Sequence, residues 1–111
     1  MNDVLRRIKE EFLTQAVRHG EATESGDFIV ANKAFDEIAS LTKQLDNLDK
    51  KGEVYSSLLN HQNDSVKAFA AYRYLDYSHD KAISVLEQVA TGSGLVGFSA
   101  KQLLKQIKSD K

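Results

Sequence analysis

The chain spaces its apolar side chains three and four positions apart throughout, and it contains no proline. Residues at those spacings share one face of an α-helix, whereas a half-buried strand alternates every second residue. No segment here alternates with period two. Without proline, the breaks between elements fall to glycine and to Asn, Asp and Ser turns. The expected fold class is therefore all-α, with about six helices.

The first helix is expected over 3–24. Val4, Leu5, Ile8, Phe12 and Ala16 face inward, and Arg6, Arg7, Lys9, Glu10 and Glu11 lie opposite. Asn2 or Asp3 is placed to accept from the free amides at its start. Gly20 is expected to cost this helix about 1 kcal/mol relative to alanine. Ser25-Gly26-Asp27 is the first break, with a glycine suited to a left-handed stop and Asp27 suited to the next N-cap. The second helix covers 28–48 through Ala31, Ala34, Phe35, Ile38, Leu41, Leu45 and Leu48. Further helices are expected over 53–60 (Val54, Tyr55, Leu58 and Leu59 inward), 66–77, 81–90 and 95–108. Thr91-Gly92-Ser93-Gly94 reads as the loosest linker. Short connections make neighbouring helices antiparallel. The chain thus reads as a single domain over 1–111, with hairpins at about 3–49, 52–77 and 80–108.

At 111 residues and 12.4 kDa, one modest core is the expected limit. The absence of cysteine removes disulfides, thiolate nucleophiles and cysteine metal ligands. A formal charge of −1 argues against direct nucleic-acid binding. No stretch approaches a membrane-spanning apolar run, and Met1 to Arg7 shows no basic region leading into one. A cytoplasmic location without membrane contact is the expectation.

The second half repeats itself with an offset of 30. Tyr55 maps to Val85, Leu59 to Val89, Val66 to Val96, Ala70 to Ala100, Tyr74 to Leu104 and Tyr77 to Ile107. Such a period signals helical hairpins that must stack to bury their apolar faces. The segment Leu58-Leu59-Asn60-His61-Gln62-Asn63-Asp64-Ser65-Val66-Lys67 resembles the HEAT-repeat pattern: the end of one helix, an Asp-containing turn, and a Val-basic start to the next. Ala68, Ala70 and Ala71 fit its small-residue stretch. Gly94 and Gly97 depart from it in the last unit, where Asp and a basic residue are usual. The resemblance implies a short HEAT-like α-solenoid. The first half, through Phe12, Ala16, His19-Gly20-Glu21-Ala22, Gly26-Asp27 and Ala31-Asn32-Lys33-Ala34, resembles a bacterial family of small HEAT-like proteins known as a domain of unknown function. Some of its members resemble immunity proteins encoded beside secreted toxins, including those of contact-dependent growth inhibition.

Candidate chemistry is sparse. His19, His61 and His79 share no metal-ligand spacing and read as water-exposed loop and helix-end residues. Gly92-Ser93-Gly94 lacks both the longer nucleophile elbow and the phosphate-loop ending. No catalytic residue, metal or cofactor is expected, and the chain reads as a non-enzyme. Asn32 reads as an exposed helix residue or as a tie between the first hairpin and the rest. Tyr74 and Tyr77 fall at apolar repeat positions and are expected in the core.

Two groups remain as candidate partner contacts. Glu21, Glu24 and Asp27 form an acidic run near the first hairpin's tip, suited to solvent and capping or to a basic partner. Tyr72, Arg73 and Asp76 offer an aromatic and charged patch, and tyrosine is enriched in binding hot spots. The resemblance implies an immunity protein that neutralises a cognate protein toxin, such as a nuclease domain, by stoichiometric occlusion. The alternative is a HEAT-like scaffold or adaptor without a toxin. A monomer or a weak dimer is expected.

Overall fold

The computed structural model describes residues 1–109. Six helices follow in order: α1 (Asp3–Ser25), α2 (Phe28–Leu48), α3 (Glu53–Leu58), α4 (Asp64–Tyr74), α5 (His79–Ala90) and α6 (Leu95–Ser109). Among the described residues there is no strand, so the all-α reading of the sequence holds. No described helix is long and apolar enough to cross a membrane.

Local chemistry sets the boundaries. The Asn2 side chain accepts from the Leu5 amide at 2.9 Å and starts α1. Gly26 ends it in the left-handed conformation (φ 78°), with its N–H and that of Asp27 closing on Thr23 and Ala22 carbonyls. Asp27 then caps α2 through the Val30 amide at 3.2 Å. Two residues thus stop one long helix and start the next, and α1 and α2 pack against each other. Four ends differ from expectation by two residues or more, among them the start of α5, at His79 rather than 81. α3 stops at Leu58 rather than 60, where the His61 amide turns back to the Leu58 carbonyl. α4 starts at Asp64 rather than 66, because Asn63 accepts from both Ser65 and Val66 amides. It ends at Tyr74 rather than 77, where the Tyr77 and Ser78 amides both close on the Tyr74 carbonyl.

The core runs through all six helices. Phe12 of α1 meets Tyr55 of α3 edge-on, with centroids 5.8 Å apart. Ile8, Leu45, Val54, Leu58, Val66, Leu86 and Val89 fill the space around them. Four repeat partners are buried at both positions or nearly so: Tyr55 and Val85, Leu59 and Val89, Ala70 and Ala100, Val66 and the half-buried Val96. Each of α3 to α5 packs on its successor, as stacked hairpins require. α1 departs from that order, for it also touches α3, α4 and α6.

Some inward expectations fail. Val4, Phe35 and Leu48 are exposed. Tyr77 is also exposed, lying flat on Tyr74 at 5.5 Å and covering the left-handed Gly52. Asn32 is exposed, as the simpler of its two readings required.

Two glycine readings are corrected. Gly20 is buried against Ser65 of α4, and a methyl group there would collide with the serine hydroxyl. Glycine at this position permits a close helix crossing, so alanine is no longer the favourable reference. The stretch expected to be the loosest linker is largely exposed, but it is pinned by close contacts at Gly92. A methyl on Gly97 would strike the Gly92 carbonyl, and Gly92 itself lies against the Asp64 carboxylate.

Candidate binding surface

The candidate residues divide by structural role. Asp27 sits outside on the α1–α2 turn and caps α2. Glu24 reaches across to α6, and its Oε1 accepts from the amides of Leu95 (2.5 Å) and Val96 (3.2 Å). Gly94, where the repeat pattern would have placed an aspartate, offers no side chain. The carboxylate of α1 therefore supplies the cap that the last hairpin lacks, and it also suits the positive end of the helix dipole. Replacing Glu24 with alanine is expected to destabilise the protein by about 1 kcal/mol. Amide exchange at Leu95 and Val96 should rise with it. Unchanged exchange at both would exclude this cap.

Glu21 has no such bond. It lies on a polar cleft of about 580 Å³ lined also by Glu24, Asn63, Asp64, Ser65 and Val96. The one ion pair among the described residues joins Arg6 to Asp3. Glu21 and Asp64 therefore have no cationic partner there.

Tyr72, Arg73 and Asp76 do not form one patch. Tyr72 is exposed and lines an apolar groove of about 320 Å³ between the α1–α2 hairpin and the α4 and α6 helices. Arg73 is half-buried, with its guanidinium 5.5 Å from the Tyr72 ring centroid. That stacking steadies the tyrosine at the groove's edge. Asp76 lies on the turn after α4 and does not line the groove.

The groove's centre is aromatic. His19 projects from α1 between Phe35 of α2 and Phe69 of α4, with centroids at 6.3 and 4.9 Å. Burial lowers the His19 pKa, so the imidazole is neutral at neutral pH. The expectation of three water-exposed histidines holds for His79 alone, since His61 is half-buried too and its Nδ1 accepts from the Asn63 amide at 3.0 Å. Leu103, Ala100 and Val96 of α6 close the far wall. Phe35 remains 51% exposed, and Phe28, one heptad earlier on α2, is 67% exposed beside Ile29 at 73%. Sequence reasoning placed Phe35 in the core and passed over Phe69. The signal for Phe35 was the width of the α2 stripe, which exceeds what one neighbouring helix can cover.

Groove and cleft adjoin, with Ser65 and Val96 lining both. Neither lining contains a lysine or an arginine among the described residues. No cluster of three metal-ligating side chains occurs among those residues. What the surface offers chemically is an apolar trough beside unpaired carboxylates. Comparison with family models, with curated proteins and with solved structures found no match for this chain.

Proposed function

We propose that this chain is a non-enzymatic protein-binding module, and most concretely an immunity protein. It would neutralise a toxin domain in the cytoplasm by covering the toxin's working surface. The observation that carries this reading is the open aromatic groove of His19, Phe35, Phe69 and Tyr72. An apolar concavity on a folded surface marks a place where another molecule is received. The HEAT-like resemblance of residues 58–71 and the family resemblance of the first hairpin make a toxin the favoured partner. A stable complex would bury about 1,200–2,000 Å² in total, and groove and hairpin tip together could form its centre.

The test is to look for a toxin domain encoded beside this gene and to co-express the two. Growth should be restored, and the two chains should elute together from a sizing column. Growth arrest with the chain abundant and folded overturns the reading. A second reading, self-association as a scaffold, is favoured by the exposed Phe28 and Ile29. Sedimentation of the chain alone distinguishes it, since a scaffold of this kind would form a concentration-dependent dimer.

A further inference from the structure

We infer that the groove and the cleft form one docking surface for a partner segment that carries a bulky apolar side chain next to a lysine or arginine. This inference rests on the binding-module reading above and names the partner's chemistry. The apolar half is built from Phe35, Phe69 and Leu103 and takes an aliphatic or aromatic anchor. The charged half presents Glu21 and Asp64, which have no cationic partner among the described residues. Ser65 and Val96 line both halves, which places the apolar and charged parts side by side. Ser65 is only 6% exposed and its side chain packs on the Gly20 backbone, so this wall is fixed by the helix crossing.

Charge complementarity selects the occupant. An apolar ligand alone would fill the groove and leave the adjacent carboxylates without a role. A second copy would have to bring its own Glu21 and Asp64 toward this acidic rim if the contact were two-fold symmetric, and like charges oppose that approach. A basic and apolar segment satisfies both halves at once. Its lysine or arginine also gains steering from the uncompensated negative charge, an effect that salt suppresses over about 10 Å.

The experiment uses the full chain and a synthetic library of short random peptides. Selected peptides should pair a large apolar residue with Lys or Arg within a few positions. Their affinity should fall about tenfold or more in Glu21→Lys and again in Phe35→Glu. Both positions are exposed, and circular dichroism and thermal melting should match the parent. Binding should weaken with added salt for the parent and much less for Glu21→Lys. Selection of apolar peptides without a basic residue overturns the inference, as does indifference to both substitutions. So does a dimer of the chain that Phe35→Glu dissolves, because the groove then belongs to a second copy. The outcomes also separate from those for immunity. Toxin protection that survives both substitutions would sink this surface and leave the immunity reading standing. Selective peptide binding by a chain that protects against no toxin would do the reverse.

Discussion

Replacing Asp49 with alanine is expected to cost about 3 kcal/mol of stability, through the loss of the two charge-assisted bonds that together cap α3. In the sequence Asp49 falls only in the gap between the helices expected over 28–48 and 53–60. In the structure it is buried, and it organises the passage from α2 to α3. Its carboxylate accepts from the Glu53 amide at 3.0 Å and the Val54 amide at 2.9 Å. Its own amide closes α2 on the Leu45 carbonyl at 2.8 Å, and its carbonyl receives the Gly52 amide at 3.1 Å. α3 has six residues, too few to persist without this anchor. Alanine would leave the buried Val54 amide without its partner, and that penalty exceeds the worth of the bond itself. Asp49→Asn keeps one acceptor and loses the charge, so about half the effect is expected. Urea unfolding of the three proteins measures both numbers. A loss below about 1 kcal/mol for the alanine variant would show that α3 is held by its apolar face alone.

Tyr55→Phe should leave stability at neutral pH unchanged or slightly raised, and it should remove most of an alkaline weakness. The Tyr55 ring is 1% exposed and packs on Phe12 and Tyr77. Its hydroxyl is buried without a hydrogen-bond partner. Thr42 lies near enough to pull the other way, yet its hydroxyl is committed to the Ile38 carbonyl at 2.9 Å. Burial therefore dominates and pushes the phenol up to about 12. The folded state holds the neutral form more firmly than the unfolded chain, whose tyrosines titrate near 10. Its contribution is complete below pH 10 and is lost as the pH rises toward and through 12. Two pK units correspond to about 3 kcal/mol at the alkaline end. Phenylalanine keeps the ring and has nothing to ionise. Denaturant midpoints of both proteins at about pH 8 and pH 11 would decide the matter. Parallel losses in the two would mean that other groups, such as the exposed Tyr77 with its own raised pKa, account for the weakness.

These two residues illustrate what the sequence carried and what it did not. Helix number and the long helices were legible, because spacing by three and four writes itself directly into the side chains. α2 begins and ends where its apolar stripe and Asp27 place it. The short elements were harder. The end of α4 depends on the Tyr74 carbonyl receiving two amides, a backbone event with no residue type attached. Of the candidate contacts, Tyr72 does lie on a groove, but its neighbours come from α1, α2 and α6 rather than from its own helix. Glu24 was legible as acidic and exposed. Its partner lies some seventy residues away, and only the helix crossing brings them together. Glycine misled most. Gly20 and Gly92 look like weak points in one dimension and are close contacts in three.

The reach of α1 across α3, α4 and α6 bears on how the molecule comes apart. In an open solenoid each unit touches only its neighbours, and the terminal unit frays on its own. Here the last helix is buttressed by the first, through a wall that includes Gly20 and a carboxylate clasp at Glu24. Peeling α6 away exposes the flank of α1, and loosening α1 uncovers three helices together. Protection against amide exchange should therefore be nearly level from α1 to α6, and the array should melt as a single cooperative unit.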